Sequence, residues 1–502
     1  MTTHNWPELE ALGQSRPTIS AVTADPDWLE LSEISAPGIY FNFSHHQLNP
    51  RISATLVEAL GRSPFEDLRQ AMISGDAINL TEQRAVGHCR IRTSAFVADD
   101  ATHAAMRAFT EAVRSGAHRG ATGQPIEHVV NIGIGGSDFG PRLMCHALAD
   151  LPSAQFCMHF VANVDGADLA RVLRQCDPER TLFVIVSKTF TTLETLENAR
   201  HARDWLRASL GEEADLSPQL AAVTVATDRA EAFGVNPQAI FGFSEDIGGR
   251  FSLWSSVGLA IALHLGYDSF RALLAGAERM DQHFVNASPA QNIPIMMALI
   301  AFWYGTIIGA ESSAIIPYSQ RLELLPSFLQ QLEMESLGKS ASREGDSLEY
   351  QTGGVLWGQP GTNAQHAFFQ LLHQGRVLIP VDFIGFVEVE PELQTQQDLL
   401  NQNMLAQISA LAYGDFSTDP HRHYPGNRPS SLLLFDRFDA EALGQLVALY
   451  EHKVFTLAAL WNINAFDQWG VELGKRLAKA MGEGATPEPS IERILKRLSS
   501  AP

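Results

Sequence analysis

Residues 182–192 have the sequence LFVIVSKTFTT, in which an apolar run is followed at once by hydroxyl side chains and a lysine. The run Leu182–Val186 is typical of a parallel strand that is buried on both faces. Residues 193–199 have helical character, so the hydroxyl groups fall where a strand ends and a helix begins. Ligands bind at this edge of an open α/β sheet, and free N–H groups at a helix start attract anions. The stretch therefore predicts an α/β fold with either a phosphate site or a simple Ser/Thr helix cap at this junction.

Alternating strand-like and helical segments extend this prediction to most of the chain. The strand-like runs cover residues 128–134, 155–162, 181–186, 221–226, 313–318, 354–357, 377–383 and 431–435. Such alternation predicts two α/β units with mainly parallel sheets. We expect a helical N-terminal segment (1–110), a first α/β domain (111–270), a second α/β domain (271–450) and a helical C-terminal segment (451–502).

Composition excludes several classes of protein. The net charge of −21 over 502 residues argues against a general nucleic-acid or anionic-membrane binder. The four cysteines contain no CxxC pair, which disfavours a zinc ribbon or a redox motif and favours a reducing, intracellular compartment. The N-terminus lacks the basic and apolar regions of a signal peptide. The uncharged stretch Ile293–Ala310 contains Pro294 and lacks flanking basic residues, so we expect a buried core helix.

A second glycine-rich junction lies at Gly133–Gly140, directly after the strand-like run 128–134. Glycines there allow backbone N–H groups to approach a phosphate closely. The spacing fails the dinucleotide fingerprint because Asp138 occupies the third glycine position, and no Gly-Lys-Ser/Thr of a P-loop follows. The segment is therefore either a phosphate loop or a tight turn without a ligand.

Four further segments contain side chains that could take part in chemistry. Arg250 follows two glycines and could stabilise an oxyanion, or could be a surface arginine after a turn. Glu333 and Glu335 are two residues apart, so on a helix they face different ways and only one is expected to act. His366 ends a loop rich in glycine and amides, where it could transfer protons or be purely structural. Lys475 lies in an amphipathic helix, where a solvated lysine is the simpler interpretation.

Together, and in this order, these segments resemble the glucose-6-phosphate isomerase family. The matching segments are Gly133–Ser137, Ser187–Thr192, Asp246–Ser252, Glu333–Lys339, Gly358–His366 and Phe466–Lys475, with a weaker match at Thr81–Val86. The resemblance implies two sugar-isomerase α/β sandwich domains with helical extensions. It also implies the reversible conversion of glucose 6-phosphate to fructose 6-phosphate, in glycolysis and gluconeogenesis, without a metal or a cofactor.

The resemblance also implies roles for individual residues. Glu335 matches the base that moves a proton between C2 and C1, and Arg250 matches the group that stabilises the cis-enediolate. His366 and Lys475 match the pair that opens the sugar ring, with the histidine supplied by the partner subunit of a homodimer. Glu194 matches an acid that orients this histidine. The matching substrate contacts are Gly136, Ser137, Ser187, Lys188, Thr189 and Thr192 around the phosphate, and Gln331 and Gln468 elsewhere on the sugar.

The chain departs from the family pattern at Leu193, at Leu337 and at Gly87–Arg90. These positions flank the matched residues, so they bear on substrate preference and rate rather than on the reaction. Three alternatives remain open: a regulatory protein that binds sugar phosphates, a dinucleotide oxidoreductase, and an isomerase of another phosphosugar. The isomerase expectation includes a hexose 6-phosphate substrate, a cytoplasmic location and no nucleic-acid or membrane partner.

Overall fold

The computed structural model describes residues 6–499. Contacts divide the chain into a first unit that ends at Ala465 and a second that begins at Phe466. The strands are β1 (Glu33–Ala36), β2 (Ile39–Asn42), β3 (His128–Ile132), β4 (Cys157–Val161), β5 (Thr181–Val186), β6 (Leu220–Val223), β7 (Ile240–Phe241), β8 (Ser312–Pro317), β9 (Val355–Gly358), β10 (Val381–Glu388) and β11 (Ser430–Arg437).

Helices connect and cover these strands. They are α1 (Pro7–Gln14), α2 (Ile19–Val22), α3 (Pro26–Leu31), α4 (Pro50–Arg62), α5 (Phe65–Ser74), α6 (His88–Ile91), α7 (Ser94–Asp99), α8 (Ala101–Arg114), α9 (Phe139–Ala147), α10 (Gly166–Leu173), α11 (Leu193–Leu210), α12 (Thr227–Phe233), α13 (Leu259–Leu265), α14 (Tyr267–Asn286), α15 (Ile293–Phe302), α16 (Leu325–Leu329), α17 (Phe369–Gln374), α18 (Gln394–Tyr413), α19 (Ala440–Leu460), α20 (Glu472–Gly482) and α21 (Pro489–Ser499).

The first sheet has the strand order β4-β3-β5-β6-β7, and all of its strands are parallel. Every residue of β5 is buried, as the continuous apolar run predicted. Because β3 and β5 are parallel neighbours, the glycine-rich loop after Ile132 and the hydroxyl-rich loop after Val186 leave the same edge of the sheet. The sheet topology therefore places the two candidate phosphate loops side by side.

The second sheet has the order β1-β2-β11-β10-β8-β9. Strands β8 to β11 are parallel to one another, whereas the hairpin β1–β2 pairs antiparallel with β11. The sequence analysis predicted only helices near the N-terminus and did not identify this hairpin. Each of its strands is four residues long, too short for a period-two pattern to stand out, and its pairing with β11 is a long-range contact.

A central helix, α19, forms the core of the first unit, and all of its residues except Glu441 are buried. It packs against α14 and α15, and Gly444 allows the close crossing with α14 because an added Cβ would lie 2.0 Å from the carbonyl oxygen of Leu273. The uncharged stretch from Ile293 forms α15 and a π-helical turn, Trp303–Ile308, and α15 is almost completely buried, as predicted. Within residues 6–499, no helix is both long and apolar enough to cross a membrane.

Candidate active site

The hydroxyl-rich junction after β5 does not use its side chains to cap the following helix. Thr192 occupies the N-cap position of α11, but its side chain accepts no hydrogen bond from the first turn of that helix. Instead, the hydroxyl groups of Ser187 and Thr192 lie 3.1 Å apart, and those of Thr189 and Thr191 lie 2.7 Å apart. The helix-cap interpretation therefore fails for these side chains. Hydroxyl groups gathered beside an uncapped helix start fit an anion site.

The ammonium group of Lys188 points away from this cluster. Its Nζ donates to the carbonyl oxygens of Glu245 and Ile247, at 2.7 and 3.0 Å. Burial lowers the pKa of Lys188, and nearby Arg84 lowers it further. The side chain thus anchors the loop that leads to Arg250 rather than joining the hydroxyl groups.

The glycine-rich loop after β3 packs directly against the segment that contains Arg250. Gly136 lies in a 3-10 turn, Gly135–Ser137, and a Cβ added to it would lie 1.8 Å from the carbonyl oxygen of Gly249. Only glycine permits this approach. Asp138, which breaks the dinucleotide fingerprint, is buried and pairs with Arg142 at 2.8 Å. Its charge is therefore neutralised rather than presented to a ligand.

Arg250 is a buried residue with only 4% of its surface exposed, which rules out a surface arginine. Its guanidinium donates to Ser336 Oγ at 2.6 Å and to the carbonyl oxygen of Ala465. The Nη1 atom lies 3.4 Å from Oε2 of Glu335. Because planar contacts fix three sides of the guanidinium, the arginine is held rigidly beside one carboxylate oxygen.

Glu335 ends a π-helical turn, Gln330–Glu335, that continues α16. Glu333, two residues earlier, points into the core and forms an ion pair with Lys453 of α19 at 2.7 Å. Glu333 and Glu335 therefore face different ways, as predicted from their spacing. Gln331 lies on the same turn, and its Nε2 lies 3.0 Å from the position of a Cβ on Gly135. The turn thus brings Gln331 to the glycine loop and Glu335 to Arg250.

Buried charges support this π-helical turn from the core side. Burial raises the pKa values of Glu333 and Asp382, although the nearby ammonium of Lys453 opposes the rise. Burial lowers the pKa of Lys453, but the two carboxylates outweigh burial and raise it. These three residues line a cavity of about 70 Å³ whose wall also includes Leu337. The cavity is on the Glu333 side of the turn, away from Arg250.

Known proteins resemble this chain over most of its length. A family model described as phosphoglucose isomerase matches residues 42–493. The chain belongs to the phosphoglucose isomerase family. The glucose-6-phosphate isomerase 1 of Chromohalobacter salexigens is 46% identical over 474 residues, covering 92% of this chain and 86% of that protein. The glucose-6-phosphate isomerase of Deinococcus radiodurans is 45% identical over 478 residues, covering 91% of this chain and 88% of that protein.

Solved structures give the same assignment to the phosphoglucose isomerase family. A glucose-6-phosphate isomerase from Chlamydia trachomatis superposes with a TM-score of 0.87 at 30% sequence identity, covering 98% of this chain and 97% of that chain. The family and the α/β fold with mainly parallel sheets, both predicted from the sequence, are confirmed.

Two further residues matched to the family pattern, His366 and Glu194, lie on other elements of the first unit. His366 ends a 3-10 turn, Asn363–His366, and its side chain is exposed. Among residues 6–499 it has no hydrogen-bond or ion-pair partner. Glu194 lies half-buried in the first turn of α11, next to the hydroxyl cluster.

The second unit contains the remaining two matched residues of the family pattern. Gln468 precedes the 3-10 turn Trp469–Val471. Lys475 lies in α20, with 67% of its side chain exposed, and pairs with Glu472 at 2.9 Å. The predicted amphipathic helix is present, and within this unit the lysine faces solvent.

Sequence reasoning missed the residues that hold the arginine segment of this family member in place. Ser336 and the carbonyl of Ala465 bind the guanidinium directly. The unusual segment at Gly87 also contributes: the backbone N–H of Gly87 donates to the carbonyl of Asp246 at 3.2 Å, and Arg90 pairs with the Asp246 carboxylate at 2.8 Å. The departure of Gly87–Arg90 from the family pattern was the only signal, and the contact with Asp246 could not be deduced from it.

Proposed function

We propose that this protein interconverts glucose 6-phosphate and fructose 6-phosphate, the reaction named for its family relatives. The observation that supports this most directly is the pairing of Glu335 with the buried guanidinium of Arg250 at 3.4 Å, beside the glycine loop at Gly136. One carboxylate and one fixed cation next to a phosphate loop are what an aldose–ketose isomerisation needs.

Glu335 is the proposed base. Its carboxylate removes the C2 proton of the open-chain aldose, and the electron pair of that bond forms the C1=C2 double bond of an enediolate. The same carboxylate returns this proton to C1, and a second proton passes from the C2 hydroxyl to the oxygen on C1, which leaves a hydroxyl at C1 and a ketone at C2. Since C1 is reduced as C2 is oxidised, the reaction balances without an external oxidant or reductant. Glu333 is unsuited to this task because Lys453 holds it in the core.

Arg250 is the proposed stabiliser of the negative charge that develops on the enediolate oxygens. Its position is fixed before substrate binds by Ser336 and the carbonyl of Ala465. Preorganised charge of this kind costs no rearrangement during the reaction and is effective in a buried, weakly polar environment.

The substrate phosphate is proposed to bind between the loops that follow β3 and β5. Hydroxyl groups of Ser137, Ser187, Thr189 and Thr192, with backbone N–H groups at Gly136 and Lys188, provide the donors. The uncapped start of α11 adds a favourable dipole. The ammonium group of Lys188 is not one of these donors, because it binds the backbone carbonyls of Glu245 and Ile247.

Ring opening is proposed to involve His366 and Lys475, one donating a proton to the ring oxygen and the other accepting the proton of the anomeric hydroxyl. The assignment of Lys475 and of the substrate contact Gln468 rests on their sequence match to the family. The exposure of His366 fits a residue that is presented to a second copy of the chain, and Glu194 is proposed to orient it. A homodimer with shared active sites is therefore part of the proposal, as is a cytoplasmic location, which the four free thiols favour.

The decisive experiment is a coupled assay in buffer containing a metal chelator, with fructose 6-phosphate compared against other ketose phosphates. We expect fructose 6-phosphate to be converted with the highest kcat/KM. Glu335→Gln should lower kcat on the order of 10²–10⁴-fold with little change in KM, because an amide cannot accept the C2 proton.

The matched control is Glu311→Gln, an equivalent change at an exposed carboxylate of the same unit. It should leave the rate unchanged. If Glu335→Gln still exchanged solvent deuterium into C2 at the wild-type rate, Glu335 would not be the base. Preferred turnover of another ketose phosphate would instead assign the site to a related phosphosugar.

A further inference from the structure

A second cluster of reactive side chains lies at the opposite edge of the first sheet. His128 and Cys157 are the first residues of β3 and β4, and the parallel register pairs them directly. His159 is two residues further along β4 and therefore projects from the same face as Cys157. Cys176 follows α10, a helix that contacts β4. The ligand atoms of His128, His159 and Cys176 thus converge from three separate segments, with Cys157 beside His128 in the register.

The distances in this cluster are those of metal ligands. Nδ1 of His128 and Nε2 of His159 are 3.3 Å apart, and the two rings are stacked with centroids 5.5 Å apart. A ligand atom of Cys176 lies within 4.8 Å of a ring nitrogen of each histidine. In a tetrahedral zinc site with Zn–N bonds of about 2.0–2.1 Å, two nitrogen ligands are separated by roughly 3.3 Å. The two imidazoles therefore already have the separation that a shared Zn²⁺ requires.

A further thiol, that of Cys157, borders these three residues. It is exposed at the start of the edge strand, directly beside His128 in the register. A bound cation would favour the thiolate form of a cysteine ligand.

We propose that His128, His159, Cys176 and Cys157 form a zinc site with two nitrogen and two sulfur ligands. Two neutral imidazoles and two thiolates around Zn²⁺ give a centre with no net charge, so binding releases the two thiol protons and requires no further counterion. Arg174 lies two residues before Cys176, and Arg180, four residues after it, is paired with Glu127.

A second group of potential ligands is much less suited to a cation. Cys89, Asp281 and His452 also lie close together. However, the fully buried guanidinium of Arg92 lies 2.7 Å from the Asp281 carboxylate and 3.5 Å from the Cys89 sulfur. A fixed positive charge already occupies that position, so Cys89 provides a control.

The proposed zinc site has a structural role. It would tie the edge strand β4 to β3 and to the turn at Cys176. It lies at the amino end of β3, whereas the phosphate loop follows the carboxyl end, four residue steps or roughly 13 Å away. Metal binding should therefore raise the melting temperature while leaving the isomerase rate unchanged, with or without chelator.

The test is a titration of the metal-free, untagged full-length protein with Co²⁺, followed by displacement with Zn²⁺. We expect one equivalent of Co²⁺ to produce the visible bands of tetrahedral coordination and the near-ultraviolet charge-transfer band of cobalt–thiolate bonds. Zn²⁺ should remove both and raise the melting temperature. His159→Ala and Cys176→Ser should abolish the bands, Cys157→Ser should weaken the charge-transfer band, and Cys89→Ser should change nothing.

Three results would overturn parts or all of the proposal. Absence of a tetrahedral cobalt spectrum in the wild-type protein, or a spectrum that survives both His159→Ala and Cys176→Ser, would exclude the site. A charge-transfer band that is unchanged by Cys157→Ser would remove Cys157 as a ligand. Loss of the spectrum in Cys89→Ser alone would place the metal at the Arg92 cluster. The isomerase assay is independent of all of these outcomes.

Discussion

Individual residues gain or lose a role according to what surrounds them. Lys188 belongs to the hydroxyl-rich segment in the sequence, yet its ammonium group binds two backbone carbonyls instead. Arg250 shows the opposite case. From the sequence it could have been a surface arginine, but in the structure it is buried beside Glu335. In both cases the decisive partners are far away in the sequence. Residue type alone therefore does not determine the direction of a long side chain.

A buried histidine gives a testable consequence at this scale. His46 is 1% exposed, and its Nε2 lies 2.9 Å from Ser431 Oγ. Burial, and to a smaller extent the neighbouring His45, lower the pKa of His46 to about 3 from its ordinary value of 6.5. The unfolded chain therefore binds a proton that the folded chain rejects between these two values. The stability from this residue is fully present above pH 6.5 and is lost as the pH falls below it.

We expect the free energy of unfolding to fall by up to about 1.4 kcal/mol for each pH unit below 6.5 because of His46. His46→Gln keeps a hydrogen-bonding group near Ser431 but does not titrate. Urea unfolding at pH 7, 6 and 5 should therefore show a shallower pH dependence in this variant. Other buried histidines, such as His264, also make the free energy of unfolding depend on pH. The contribution of His46 is therefore the difference in slope between the wild type and the variant. Equal slopes would refute the assignment to His46.

At the scale of elements, the π-helical turn Gln330–Glu335 connects the core to the site. One of its faces presents Glu333 to Lys453 of α19, and its end presents Glu335 to Arg250. A π-helical turn contains one residue more per turn than an α-helix and often occurs at functional sites. The ion pair to α19 is therefore placed to hold this turn in register.

Removing one partner of this buried pair should be more harmful than removing both. We expect Lys453→Met to lower the free energy of unfolding by about 3–5 kcal/mol, because two buried carboxylates would lose their cation. Lys453→Met with Glu333→Gln should recover part of this loss. Urea unfolding of both single variants and the double variant measures the coupling. Additive effects would show that the two residues do not act as a pair.

The same variants also test whether the pair positions the active-site turn. If it does, Lys453→Met should lower kcat more than it changes KM at temperatures where the protein stays folded, and the double variant should recover some activity. A merely structural role would change stability alone. Met334, which is exposed on the same turn, offers a control by Met334→Gln.

At the scale of the whole molecule, the proposed homodimer makes a prediction about mixed subunits. If His366 acts in the partner's site, Glu335→Gln and His366→Ala should each be nearly inactive alone but should complement each other. Random pairing makes half of the dimers mixed, and each mixed dimer has one intact site of two. Co-expression should therefore restore about a quarter of the wild-type activity.

Purification through two different affinity tags isolates the mixed dimer and makes the measurement direct. A mixture of Glu335→Gln with the double variant Glu335→Gln/His366→Ala contains no intact site and should stay inactive. If the purified mixed dimer is as inactive as its parents, His366 does not act across subunits.

The sequence by itself determined the α/β class, the parallel strands of both sheets except the two-residue β7, and the two candidate phosphate loops that follow β3 and β5. Continuous apolar runs and clusters of glycine or hydroxyl residues are local signals, so they can be recognised without knowledge of the fold. Order and spacing of the matched segments were enough to identify the family. The short strands β1 and β2 escaped prediction because they are stabilised by pairing with β11.

Only the tertiary structure decided which groups meet. The partners Arg250 and Ala465 are 215 residues apart, and Lys453 is 120 residues from Glu333. The cluster of His128, His159 and Cys176, with Cys157 beside it, likewise follows from the register of β3 and β4 and from the return of the chain after α10. The local sequence pattern indicates on which face of a strand or helix a side chain lies. Contacts between distant segments depend instead on how the whole chain packs.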